Sequence, residues 1–232
     1  MSFLKSIPPI PWTEVDTVLL DMDGTLLDLH YDNYFWLEYL PEQWAQAHGI
    51  EITTARQRLI ERYAELQGTL DWYCLDYWSR SLELDIVALK QEVQDRIKVH
   101  PGVVEFLEQL NEAGKRAVLV TNAHPQSLQL KMERTQLASY FDRTVSSHTI
   151  GVAKENGRFW TQFQELESFN RDRTLLIDDS LEVLKSAATY GIQYLLLPLQ
   201  PDSRKEARRE SSFPSLLGFD EIMPVQRSRI AR

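Results

Sequence analysis

Val15-Asp16-Thr17-Val18-Leu19-Leu20-Asp21-Met22-Asp23-Gly24-Thr25 is the stretch from which the rest of the chain is read. Val15 to Leu20 is rich in β-branched and apolar residues and reads as a buried strand. It stops abruptly in two acids and a glycine. Alternation along an extended chain puts Asp21 and Asp23 on one side and turns Met22 away. Gly24 permits a turn that a side chain would obstruct. A lone Asp-x-Asp is equally well an acidic turn or helix cap, and it also occurs in nucleotide-sugar glycosyltransferases.

The same design recurs outward from this strand. Ala117 to Val120 stops at Thr121-Asn122, Thr144 to Ser146 is a weaker run, Thr174 to Ile177 stops at Asp178-Asp179, and Tyr194 to Leu197 is closed by Pro198. Amphipathic helices separate these runs. Val103, Phe106, Leu107 and Leu110 mark one, between Pro101 and Gly114, and Leu181, Leu184 and Ala188 mark another, ended by Gly191. Leu128 and Met132 outline a fainter third. Apolar strands alternating with helices predict an α/β fold, a Rossmann-like parallel sheet covered on both faces.

Leu29 to Lys98 breaks the rhythm with helical periodicity throughout. Leu59, Tyr63 and Leu66 share one face, as do Ile86, Leu89, Val93 and Ile97. Four of the six Trp and six of the nine Tyr lie here. The expected organisation is a split α/β core, 1–28 and 99–232, with an all-helical domain, 29–98, inserted after the first strand and hinges near Asp28 and His100-Pro101. Residues 198–232 read as largely irregular, with the alternating charges of Arg204 to Glu210 in solvent.

The composition narrows the function. The 232 residues carry a formal charge of −9 and are 43% hydrophobic, which excludes wholesale disorder and argues against nucleic-acid binding. No apolar run is long enough for a membrane span. The start lacks an apolar signal core, and Cys74 is the only cysteine, so no internal disulfide exists and a cytoplasmic setting is expected. Cys74 reads as inert core.

Ligands bind at the carboxyl edge of open α/β sheets, and three strands end there in polar residues. Asp21, Asp23, Asp178 and Asp179 gathered at one edge would repel unless a cation sat among them, and oxygen-only donors suit Mg²⁺. One acid of Asp178-Asp179 is explained by capping the helix at Leu181; two are not. Thr121 and Asn122 are a helix entry or a phosphoryl grip. Lys154 lies between the second and fourth strand ends, where a cation offsets a phosphate.

The ordered set Asp21-x-Asp23-Gly24-Thr25, Thr121-Asn122, Lys154 and Asp178-Asp179 resembles the haloacid dehalogenase-like phosphohydrolases over nearly all of Val15 to Leu197, with the helical insertion at the family's cap position. One departure is Glu155, where many members carry proline after the lysine. The strings Asp21 to Asp28, Asn33-Tyr34-Phe35-Trp36, Trp72 to Trp78 and Thr121-Asn122-Ala123-His124-Pro125 are similar to the bacterial GMP/IMP nucleotidases within that superfamily. The resemblance implies Asp21 as nucleophile and Asp23 as general acid and base. It implies Mg²⁺ on Asp21, the Asp23 carbonyl, Asp178 and Asp179, with Asp179 the better match to the direct ligand, and phosphate on Thr121, Asn122 and Lys154. The implied substrate is a small phosphate monoester, a purine nucleoside monophosphate. Asn33, Tyr34, Trp36, Trp72, Tyr73, Tyr77 and His124 are the candidate specificity residues. Trp78 shares a helical face with Leu75 and Leu82 and reads as core. A sugar-phosphate phosphatase or phosphomutase, or a non-catalytic nucleotide-binding regulator, is the alternative, and oligomeric state is left open.

Overall fold

The computed structural model describes residues 9–209 and 211–228. The readings made of the extreme amino terminus and of Glu210 lie outside them. Six parallel strands form one sheet: β1 (Thr17–Leu20), β2 (Arg116–Thr121), β3 (Arg143–Ser146), β4 (Thr174–Ile177), β5 (Tyr194–Pro198) and β6 (Ser215–Leu216), in the order β3-β2-β1-β4-β5-β6. β1 begins two residues later than its apolar run, although Val15 is fully buried. β6 lies in the stretch expected to be irregular; two residues give no periodicity, and its pairing to Leu197 and Pro198 of β5 defines it.

β1 and β4 are buried along their whole length, as continuous apolar runs between two helical layers should be. Alternation divides them. Val18 and Leu20 pack with Val103, Phe106, Leu107 and Leu110 of the helix Val103–Glu112. Leu19 faces the other layer, with Phe159, Trp160 and Phe163 of the helix Gly157–Leu166 and Val183 and Leu184 of the helix Leu181–Tyr190.

Between β1 and β2, residues 30–96 are helices and short connections, bounded by backbone bonds from Asp28 to Lys98 and from His100 to Leu26. Their core is built on rings. Trp78 is fully buried and its indole donates to the Trp72 carbonyl at 2.9 Å. Trp36 and Tyr63 lie against it at ring separations of 5.6 and 5.2 Å. This core is continuous with that of the adjoining sheet face rather than separate from it. The expected face through Ile97 is shorter than its periodicity, because the helix from Ile86 ends at Glu92 and a 3₁₀ turn, Gln94–Arg96, follows. Among the described residues no helix is long and apolar enough to cross a membrane.

Candidate active site

The register of the sheet collects the polar strand ends. Leu20 is level with Leu119 and Ile177, so Asp21, Thr121 and Asp178 leave neighbouring strands at one edge. Asp21, Asp178 and Asp179 each offer a carboxylate oxygen within 4.8 Å of the others. Gly24 permits this crowding: its φ is +86°, and a Cβ there would stand 2.7 Å from the Asp179 carboxyl carbon.

Lys154 is the buried cation of this group. Its Nζ donates to Asp21 Oδ1 at 2.5 Å, Asp178 Oδ2 at 2.7 Å and the Val120 carbonyl at 3.0 Å. Asn122 supports it, accepting from the Lys154 backbone N–H at 2.9 Å. The Thr121 hydroxyl accepts from the Ala123 N–H at 3.0 Å, which leaves its own proton to give. The helix that follows β4 is capped by Ser180, and Asp178 Oδ1 accepts from the Ser180 N–H. Neither second-position Asp179 oxygen is spent on the cap.

Lys154 and the Arg208 guanidinium, 3.8 Å from Asp179 Oδ2, do not balance three carboxylates. Burial, with Asp178 beside it, pushes Asp21 up to about 6, and burial raises Asp178 and raises Asp179 further against its two neighbours. A buried, all-oxygen donor set whose protonation is favoured for want of positive charge fits a hard divalent cation such as Mg²⁺.

Asp23 is supported from elsewhere. Lys131, from the helix Pro125–Thr135, stands 2.7 Å from Asp23 Oδ1 and 2.7 Å from Asp32 Oδ2, and Lys90 donates to Asp32 Oδ1 at 2.9 Å. Both lysines are about 1% exposed. Lys90 also lies over the rings of Tyr31 and Phe35. Burial raises Asp23 to about 6 despite Lys131, whereas the two lysines hold Asp32 down at about 2.

These groups open into a cavity of about 560 Å³. Its lining includes Asp21, Asp23, Thr121, Asn122, Lys154, Asp178 and Asp179, together with Asn33, Trp36, Trp72, Tyr73 and His124 from the expected specificity set. Two expected residues do not reach it. Tyr34 stacks with Tyr39 beneath the Arg96 guanidinium, and Tyr77 packs edge-on against Trp78. Helical rotation turns Tyr34 away from Asn33, which does line the wall, and Tyr77 away from Leu75, two positions before it.

The structure adds residues that the motifs passed over. Glu155, at the departure from proline, accepts from Asn122 Nδ2 at 2.9 Å and from the Tyr73 hydroxyl at 2.5 Å, joining a sheet-edge loop to the helical segment. Arg208, expected in solvent, is partly buried, donates to the Asp179 carbonyl at 2.6 Å and lines the cavity. Lys131 follows Leu128 by three positions and precedes Met132, so a lysine on an apolar helical face was its signal.

Known proteins resemble this chain over most of its length. A haloacid dehalogenase-like hydrolase family matches residues 15–191. The GMP/IMP nucleotidase of Escherichia coli strain K12 is 44% identical over 215 residues, 93% of this chain and 97% of that protein. A phosphoglycolate phosphatase of Mesorhizobium japonicum is 24% identical over 185 residues, 75% of this chain and 79% of its own. The crystal structure of a phosphatase from Thermococcus onnurineus superposes with a TM-score of 0.75 at 20% identity, covering 92% of this chain and all of that one.

Proposed function

This chain belongs to the haloacid dehalogenase-like hydrolases and is a phosphoric monoester hydrolase, and from that premise we propose that it is a Mg²⁺-dependent 5′-nucleotidase for GMP and IMP. The observation that carries the reading is the second carboxylate. Asp23 lines the same cavity as Asp21 and the aromatic side chains, held by Lys131 and poised near 6. An alkoxide leaving group needs a proton there; a halide does not.

Asp21 Oδ attacks phosphorus while the ester P–O bond breaks with its electrons on the leaving oxygen. Asp23 delivers its proton to that oxygen, and the nucleoside departs from an aspartyl-phosphate. Asp23, now a carboxylate, takes a proton from water as the water oxygen attacks phosphorus. The Asp21–phosphorus bond breaks and phosphate leaves. Lys154 pins Asp21 and, with Thr121 and the Asn122 loop, faces the phosphoryl oxygens. Asp21, Asp178, Asp179 and the Asp23 carbonyl are the residues to hold Mg²⁺, which when bound offsets the charge between an anionic nucleophile and an anionic phosphate.

Residues 29–98 serve as the cap over the leaving group. The sheet edge reads only the phosphoryl group, so discrimination belongs to the cap side, where Trp36 and Trp72 offer faces for a purine. The 44% identity to a protein named for GMP and IMP supports that choice. The test is phosphate release with Mg²⁺ from GMP, IMP, AMP and a hexose phosphate. Highest kcat/KM for GMP and IMP is expected, with AMP lower, because a site built to hydrogen-bond one edge rejects the analogue that lacks it. Equal values for all four would remove the nucleotidase reading, and a preference for the hexose phosphate would replace it with a sugar-phosphate phosphatase.

A further inference from the structure

Cys74, read from sequence as inert, is not isolated. Its sulfur and one ring nitrogen each of His124 and His148 lie within 4.8 Å of one another. The three arrive from separate segments: Cys74 caps the helix Leu75–Leu82 of the cap, His124 precedes the helix Pro125–Thr135 after β2, and His148 follows β3. The two imidazoles meet edge to face at 5.0 Å.

The free valences point to a ligand. His148 Nε2 is buried with no hydrogen-bond partner, which is costly for a polar atom. Ser146 already occupies His148 Nδ1 at 3.4 Å, and the Gln126 N–H occupies His124 Nδ1 at 3.4 Å. That leaves Nε2 on both rings, and His124 Nε2 also faces Asp76 Oδ2 at 3.7 Å. Burial favours the neutral form of both rings, with His148 pushed down to about 4. Ser146 Oγ spends its own proton on the Ala123 carbonyl and so takes that of His148 Nδ1, which leaves the lone pair on His148 Nε2; His124 ligates through Nε2 by moving its proton to Nδ1 and giving up the long Gln126 contact.

We propose that Cys74, His124 and His148 form a binding site for a thiophilic divalent ion of the zinc type, with Asp76 or water completing four ligands. One thiolate and two imidazoles are a donor set for Zn²⁺ and a poor one for Mg²⁺. Zinc–sulfur and zinc–nitrogen bonds put tetrahedral ligands about 3.3–3.6 Å apart, a spacing that three atoms within 4.8 Å of one another reach by small side-chain adjustments. The site is chemically distinct from the carboxylate cluster. It also joins a cap residue to two residues at the sheet edge, so an ion here fastens the cap over the cavity.

The test titrates the whole chain with Co²⁺ and Zn²⁺ in excess Mg²⁺, which keeps the carboxylate site filled. Because Cys74 is the only cysteine, a thiolate-to-cobalt charge-transfer band can have only one source. The expected result is that band, saturating at one equivalent, displaced by Zn²⁺, absent in Cys74→Ser and at least tenfold weaker in affinity in His148→Ala. Zn²⁺ should raise the Tm of the wild type and not that of Cys74→Ser. Should a variant fail to fold, alkylation of Cys74 in the wild type decides: Zn²⁺ should slow it at least tenfold. Absence of the band, or alkylation indifferent to Zn²⁺, overturns the proposal.

Discussion

Replacing Lys131 with methionine isolates the group that tunes the acid. Lys131 Nζ lies 2.7 Å from Asp23 and is almost wholly buried, so solvent screens the pair little. The charges that act most strongly on Asp23 are Lys131, which lowers its pKa, and Asp32 and Asp21, which raise it. In the variant Asp32 stays ionised on Lys90 at 2.9 Å, and its repulsion and that of Asp21 are opposed at Asp23 only by the weaker pull of Lys90. An opposite charge this close is worth roughly one to three pH units. The value near 6 should therefore climb to about 8, taking the middle of that range. The phosphorylation step needs protonated Asp23, and kcat/KM reports that step, so its alkaline limb should move up with the pKa. At pH 8 the wild type would retain about 1% of its own plateau and the variant about half. The assay is kcat/KM for GMP against pH with Mg²⁺, each enzyme scaled to its plateau, alongside Tm. Methionine keeps the stem's packing, yet unpairing a buried ion costs about 3–5 kcal/mol, so a lower Tm is expected and does not mimic a displaced limb. A limb that stays in place, or moves to lower pH, would refute the assignment of Asp23 as the acid.

Asp21→Asn should abolish phosphate release while leaving Tm equal or higher, since it removes one of three repelling buried carboxylates; turnover near that of the wild type would sink the nucleophile, and full activity in EDTA would sink the metal. Gly24→Ala should cost at least about 1 kcal/mol for its left-handed backbone alone, plus most of the activity, because the new Cβ strikes the Asp179 carboxylate; denaturant midpoints and kcat measure the two losses separately. Trp78→Ala should cost about 3–5 kcal/mol by thermal or urea unfolding, and a loss under 1 kcal/mol would mean that the ring cluster does not hold the helical segment together.

The parts legible in sequence are those where one short segment carries both pattern and chemistry. β1 and β4 announce themselves as apolar runs, and the acids that end them, Asp21 and Asp178, fall at the sheet edge because parallel pairing fixes their level. Lys154 was legible only through its place in the order. Lys131 and Lys90 show how a cation on an apolar helical face can be seen yet not assigned, since its partner, Asp32, lies on another element. Tyr34 and Tyr77 lie one and two positions along their helices from Asn33 and Leu75, which do line the cavity, a rotation the strings do not show. Arg208 and β6 were hidden because alternating charge and a two-residue strand carry no periodic signal. The thiol and two imidazoles were out of reach, as 50 and 24 residues separate them in the chain.

The chain past β5 returns to the mouth of the site as a strap. The Pro201 carbonyl accepts from the Leu29 N–H at 2.8 Å and meets the His100 ring at 3.2 Å, while the Ser203 N–H donates to Asp28 at 3.0 Å. Asp202 accepts from Asn33 at 2.6 Å. Both crossings between the sheet and the helical segment are thus tethered to one stretch, and Arg208, five residues on, rests on Asp179. Rocking of the helices over the sheet would have to carry this stretch along or shear its bonds. Trimming the chain after Pro198 would therefore do more than shorten a tail: it would slacken both joints and strip Asp179 of its guanidinium.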